Sequence, residues 1–235
     1  LLDIEAPLFQ QHIFKSSGGL RCNLAVRFKG KPDGLHLAFS AHHDIVNPTT
    51  DNVNDNLGSV AILLSMAEAL SSNQDELKNT IDLFFTDGEE VGGLGARRFA
   101  QTWYKAKQPD LLLNLELVAQ GETWWIESKG DTPEAIAHCL AQICGSVTGI
   151  NKVPFSDSWA YRQEGVSNAI CIGRLSQKNL LKWIDTDKYP EVFKLCHDPG
   201  DMLITAEEDN MFDAANQLVY LAKNLDYETL TAEYE

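Results

Sequence analysis

Basic residues are scarce. Lysine and arginine number 19 against 34 aspartates and glutamates, a formal net charge of −15 over 235 residues. Nucleic acid and anionic membrane surfaces both require positive patches, so neither is an expected partner. Long hydrophobic runs are absent, and none approaches the roughly 20 residues of a membrane-crossing helix. The opening LLDIEAPLFQ has neither the basic region nor the small-residue cleavage site of a secretory leader. Cysteines are few and scattered: Cys22, Cys139, Cys144, Cys171 and Cys196, with no Cys-x-x-Cys pair. That pattern supports neither a zinc finger nor a disulfide framework and fits a reducing compartment. A cytoplasmic setting is therefore expected; a secreted or periplasmic one is the alternative if a leader has been removed. Low-complexity tracts, internal repeats and linker-like stretches are also missing, so one domain over 1–235 is expected.

What remains is ordinary globular material, 44% hydrophobic and 23% charged, enough to bury a large core without covalent staples. Apolar runs alternate with amphipathic ones. Strands are expected at 20–28, 34–41, 80–86, 111–118, 123–128 and 168–173, several of them apolar on both parities, as in strands buried on both faces. Helices are expected at 57–72, with Val60, Leu63, Leu64, Ala67 and Leu70 on the buried face, and at 94–106 and 132–144. A last helix is expected from Thr205, where Thr205-Ala206-Glu207-Glu208 reads as a capping box. Its buried face would carry Met211, Ala214, Leu218, Leu221 and Ala222. Strand–helix alternation predicts an α/β fold, a three-layer α/β/α sandwich around a mixed, mostly parallel twisted sheet. Its chemistry belongs at the carboxyl ends of the strands.

Four polar stretches fall at such places. SAHHDIV (40–46) holds His42, His43 and Asp44; NVNDNLG (52–58) holds Asp55; TDGEEVGG (86–93) holds Asp87, Glu89 and Glu90; LCHDPGD (195–201) holds His197, Asp198 and Asp201. A fifth signal is Glu116 inside the apolar LLLNLELV. A carboxylate buried in a strand costs several kcal/mol unless it is paired, protonated or bound to metal. Each stretch also has a plain reading as a turn, a helix cap or solvated charge. Gathered at one sheet edge, two histidines and three carboxylates would suit a divalent ion, zinc above all. In the Glu-Glu doublet one carboxylate can ligate while its neighbour serves as general base.

In this order the motifs resemble the co-catalytic zinc aminopeptidase family, which also includes glutamate carboxypeptidase II and the glutaminyl cyclases. His42-His43-Asp44 is similar to its His-x-Asp, Asp55 to its bridging aspartate, Glu89-Glu90 to its Glu-Glu, His197-Asp198-Pro199-Gly200-Asp201 to its late His-x-Pro-x-Asp, and Ser156-Asp157 to its Ser-Asp pair. The resemblance implies a zinc-exopeptidase fold and two zinc ions, with a single zinc the alternative. It implies His42, Asp55, Glu90, Glu116 and His197 as metal ligands, with Asp55 bridging. Glu89 would be the general base, and Asp44 would orient His42 through its second ring nitrogen. The implied substrate is a peptide or small amide with a free amine, cleaved by an aminopeptidase. A glutaminyl-cyclase-like aminoacyltransferase and a non-catalytic binding protein on the same scaffold are the alternatives.

The chain departs from the family at three places. Glu116 stands where aspartate is usual, a reach about 1.5 Å longer. Cys196 fills the slot of a tyrosine that stabilises the oxyanion, and Asn54 replaces an aspartate. Tyr161 or Arg162 would take over the tyrosine's part, and with Asp157 they form the expected substrate-binding set. His43 falls in the motif's variable position, expected to pack or to hydrogen-bond at the pocket wall. Trp124, Trp125 and Trp159 are candidates for that wall, at least two of them expected in the core.

Overall fold

The computed structural model describes residues 8–46, 48, 50–72, 76–105, 107–128, 134–145 and 147–231. Eight strands form one sheet: β1 (Leu8–Ser16), β2 (Gly19–Phe28), β3 (His36–His42), β4 (Thr80–Thr86), β5 (Leu111–Leu115), β6 (Thr123–Glu127), β7 (Val147–Ile150) and β8 (Ala169–Leu175). Their order is β1-β2-β4-β3-β5-β8-β6-β7. The central run β4-β3-β5-β8 and the pair β6-β7 are parallel; β1-β2, β2-β4 and β8-β6 are antiparallel. This is the mixed, mostly parallel α/β sheet that the apolar runs predict. Among the described residues no helix is long and apolar enough to cross a membrane.

The central strands β3 and β5 are buried at every position, which is why their sequences do not alternate. Parity instead chooses the layer. Leu37, Phe39, Ile81, Leu83, Leu111 and Leu113 face one way, onto α1 (Gly58–Ser71), α3 (Glu134–Cys144) and α6 (Glu208–Asn224). Ala38, Phe84 and Leu112 face the other, onto α2 (Leu94–Thr102) and α4 (Asp157–Gln163). Helix α5 (Gln177–Thr186) covers Trp125 and Cys171 on that second side. A short α7 (Tyr227–Thr231) ends the described chain.

Three helices depart from the sequence expectation. Helix α2, expected over 94–106, ends at Thr102. The buried face of α1 is Ile62, Leu63, Met66 and Leu70, while Leu64 is 57% exposed. Val60 and Ala67 of the expected face are partly buried against the same core, so Leu64 is the residue of that face turned outward. At the helix entry Gly58 lies so close to Ala119 that an added Cβ would sit 2.9 Å from that alanine's Cβ. The capping box at Thr205 does not form. Thr205 ends a tight 3₁₀ turn, its hydroxyl donating to the Met202 carbonyl, and α6 starts at Glu208. Glu207 is engaged elsewhere: its N–H donates to the Ala119 carbonyl and its carboxylate accepts from the Gly121 N–H. The buried face of α6 adds Ala215, with Met211 at its margin. The expected helix over 132–144 begins at Glu134, its first two residues lying outside the described ones.

Strands β3 and β4 are neighbours, yet β3 leads into α1 on one face and β4 into α2 on the other. Chains leaving adjacent parallel strands to opposite sides open a crevice at the carboxyl edge. The candidate residues gather there.

Candidate metal centre

His42 is the last residue of β3 and is 1% exposed. Its Nε2 lies 3.1 Å from Asp55 Oδ1 and 3.6 Å from Glu116 Oε2. The other oxygen of Asp55, Oδ2, lies 3.2 Å from His197 Nε2, and that nitrogen is 2.9 Å from Glu90 Oε2. One carboxylate thus faces two histidine–glutamate pairs, His42 with Glu116 and His197 with Glu90. His42, Asp55 and Glu90 alone offer ligand-type atoms all within 4.8 Å of one another.

Each group is held from behind. Asp44 lies 3.5 Å from His42 Nδ1 through its carboxylate, which also accepts the backbone N–H groups of Glu89 and Glu90 at 3.0 and 3.3 Å. One aspartate therefore orients the imidazole and positions the Glu-Glu turn. Arg21 backs it at 3.8 Å while pairing with Asp87 at 2.7 Å. Glu116 follows β5 directly, and its two oxygens accept from the side-chain amides of Asn114 and Asn56, both at 3.0 Å. The longer glutamate reaches between those amides and His42. Asp201, buried, accepts the N–H groups of Asn54 and Asp55 at 2.7 and 2.9 Å.

The electrostatics show a deficit of positive charge. Burial, then the charge of Glu116, pushes the Glu89 carboxyl up to about 10. Burial, then Asp55, pushes Glu90 up to about 7. Burial pushes Asp157 up to about 7 and also raises Glu116. Burial pulls the His42 imidazole down, but Glu116 and the bonds to Asp44 and Asp55 outweigh it and hold it well above its ordinary value. Burial would raise Asp55, yet His42 and His197 hold it low. Among the described residues none of the carboxylates 55, 89, 90 and 116 pairs with lysine or arginine. Two imidazoles and three carboxylates converging with no lysine or arginine partner among the described residues fit a divalent ion, and mixed nitrogen and oxygen donors suit zinc.

These groups floor a cavity of about 320 Å³ whose walls include Leu117, Phe155, Tyr189 and Phe193. Glu89, 7% exposed, lines it beside the two histidine–glutamate pairs. Cys196 lines it too, its thiol against Asp55.

Some expected residues lie elsewhere. Tyr161 is fully buried in the layer between the sheet and α4, its hydroxyl 3.2 Å from Ser40 Oγ. Arg162 is spent on Glu127, with two bonds at 2.8 Å, and on the Ala169 carbonyl. Neither lines the cavity, because α4 turns these positions toward the sheet and β6. Asp157 opens α4 behind the floor, fully buried, and accepts from the Thr86 hydroxyl. His43 turns away from the crevice, its Nε2 3.0 Å from the Cys22 carbonyl on β2. Trp124 and Trp125 are core residues, whereas Trp159 is 38% exposed and lies tilted against Phe155, with ring centroids 5.4 Å apart. Sequence reasoning missed the supports Asn56 and Asn114 and the aromatic wall. Only Asn114 carried a signal: it is polar within an apolar strand and shares its parity with Glu116.

Comparisons with known proteins bear on this arrangement. A sequence model described as Peptidase family M28 matches residues 23–220. Over 101 residues the chain is 35% identical to a vacuolar membrane protease of Lodderomyces elongisporus, a match covering 42% of this chain and 10% of that protein. A zinc aminopeptidase from Bacillus subtilis superposes with a TM-score of 0.68 at 18% identity, over 88% of this chain and 50% of the other. A glutaminyl cyclase from Porphyromonas gingivalis superposes with a TM-score of 0.69 at 18% identity, over 93% and 85%. The chain therefore spans a tenth of the length of the curated relative it matches and half that of the aminopeptidase. At such identities the structural likeness speaks to the fold.

Proposed function

The chain belongs to peptidase family M28, and on that premise we propose that it is a zinc-dependent exopeptidase, an aminopeptidase acting on peptides or small amides with a free amine. The observation that carries the reading is Asp55, whose two oxygens each face a separate histidine–glutamate pair. His42, Glu116 and one Asp55 oxygen would hold one zinc; Glu90, His197 and the other oxygen would hold a second. Bound there, the ions would supply Lewis acidity, acidifying water and polarising the carbonyl under attack.

The remaining chemistry belongs to the side chains. Glu89 is buried at the cavity floor and has no ligand role in this scheme. Its carboxyl, held at about 10 in the metal-free site, would be drawn down by the charge of the bound ions, so that as a carboxylate it takes the proton of the attacking water. It then delivers that proton to the leaving amine. Asp44 keeps His42 turned so that Nε2 faces Asp55, the usual support for a ligating imidazole. Leu117, Phe155, Tyr189 and Phe193 would receive the substrate's side chain and exclude water from it. The surplus of carboxylates at the floor would attract the free amine at short range, since exposed charge is screened beyond about 10 Å.

The test combines zinc analysis with a panel of aminoacyl fluorogenic substrates, free and N-blocked. Cleavage of free-amine substrates by zinc-loaded protein is expected. Cleavage confined to blocked peptides would refute the aminopeptidase reading. Ammonia release from peptides beginning with glutamine, at one zinc per chain, would replace it with a glutaminyl-cyclase-like one.

A further inference from the structure

We propose that Asp201 is the positioning residue for the shared carboxylate Asp55, and that it locks the turn carrying His197 onto the loop carrying Asp55. The inference rests on the metal-centre reading above and adds a part that neither ligation nor proton transfer assigns. Asp201 is 1% exposed. Its Oδ1 accepts the N–H of Asn54 at 2.7 Å and its Oδ2 the N–H of Asp55 at 2.9 Å. Two parallel bonds from consecutive peptides fix the direction of the backbone as well as its place, as a bidentate fork does.

Asp55 (φ −124°, ψ 84°) and Asn56 (φ −139°, ψ 26°) are not helical. The turn's own backbone bonds run from the Leu57 N–H to the Asn52 carbonyl and from the Gly58 N–H to the Val53 carbonyl, and the N–H groups of Asn54 and Asp55 go to Asp201. A buried N–H without a partner is costly, and here one distant carboxylate satisfies two. Asp201 also belongs to the same compact turn as His197: the Asp198 N–H donates to the Leu195 carbonyl and the Asp201 N–H to the Asp198 carbonyl. Asp55 is therefore gripped twice by one turn, at its backbone by Asp201 and at its carboxylate by His197, 3.2 Å away. A separate tie joins the same two segments farther out, from the Leu203 N–H to Asp51 Oδ2 at 2.7 Å. With both oxygens committed to backbone, Asp201 acts through Asp55.

The test measures zinc affinity by chelator competition on wild type, Asp201→Asn, Asp201→Ala and Asp51→Ala, alongside urea unfolding of each metal-free chain. The Asp201 variants are expected to lose roughly 10–100-fold in zinc affinity, the cost typical of removing a residue that orients a ligand. Asp51→Ala, which removes the acceptor of the outer tie, is expected to keep wild-type affinity. A merely structural Asp201 would lower the unfolding midpoint and leave the affinity of the folded chain unchanged, and that result would overturn the proposal. So would an equal loss in Asp51→Ala. Wild-type protein that takes up no zinc would instead overturn the metallopeptidase reading, and this inference with it. Amide exchange in the metal-free wild type keeps the proposal open to refutation if the Asp201 variants do not fold. The Asn54 and Asp55 amides are expected to be protected, and exchange at open-loop rates would overturn the clamp.

Discussion

His42 and His43 are adjacent and chemically identical, yet only one enters the crevice. His42 completes β3 with its ring toward Asp55, and the next side chain leaves on the opposite side, where the Cys22 carbonyl of β2 receives it. That division follows from strand alternation at the end of β3; in the sequence it was implied by the family resemblance, whose motif puts His43 in the variable position. Glu116 was legible for a different reason, its cost in an apolar run, and the structure answers that cost with two amides and an imidazole. Glu89 supplies the prediction at this scale. Glu89→Gln keeps the shape and removes the proton acceptor, so turnover should fall by about 10²–10⁴ with zinc content unchanged. Steady-state kinetics paired with elemental analysis checks it, and wild-type turnover in the variant would remove Glu89 from the proton path.

Elements were read best where burial was uniform. Strand β4 was expected at 80–86 and lies at Thr80–Thr86, because Ile81, Leu83, Phe84 and Phe85 stand between polar turns over a strand's length. The edge strands β1 and β7 were missed. With a neighbour on one side only, β1 leaves Phe9 and Ile13 exposed, and its pattern is mixed. Within β4 a charged residue, Asp82, is wholly buried. Arg27 meets it with two bonds at 2.6 and 2.7 Å, His36 lies at 2.8 Å, and the Trp103 indole and Tyr104 hydroxyl donate to it. The cluster ties β2, β3 and β4 to the chain after α2. Asp82→Ala strands its partners and should destabilise by about 3 kcal/mol, the lower end for a broken buried pair because Arg27 keeps some water. Urea unfolding measures it, and a loss under about 1 kcal/mol would reduce the cluster to the worth of a surface pair.

At the scale of the molecule, acidity and fold meet in a pH dependence. Glu89 and Glu90 have folded-state values of about 10 and about 7 against an ordinary 4.5, and Asp157 about 7 against 3.8. Raised carboxyl groups hold their protons in the folded chain after the unfolded chain has released them, so stability falls as pH rises through those intervals. His42, held well above 6.5, is charged in the folded chain and works in the same direction once pH passes 6.5. Asp44 and Asp55 are held low, so the stability they contribute is lost only in acid, below their ordinary 3.8. The metal-free protein should therefore lose thermal stability between about pH 5 and about pH 8, and zinc should remove most of that slope. Thermal melts of stripped and zinc-loaded protein across that range test it. A stripped chain whose midpoint rises steadily with pH would contradict the charge deficit at the site.

The sequence by itself determined the six central strands, four of the helices, the sheet's buried centre and the residue types available for a metal site. Those features are local: apolar periodicity is written in consecutive residues, and ligand-type side chains stand in short motifs at strand ends. Tertiary structure alone decided the pairing, His42 with Glu116 and His197 with Glu90 on opposite oxygens of Asp55. It also sent Tyr161 and Arg162 into the packing of α4 and turned Asp201 onto the Asp55 backbone. The reason is distance along the chain. Asp55 and Asp201 are 146 residues apart, and which groups meet depends on strand order and on the face from which each loop leaves the sheet. No short motif encodes either.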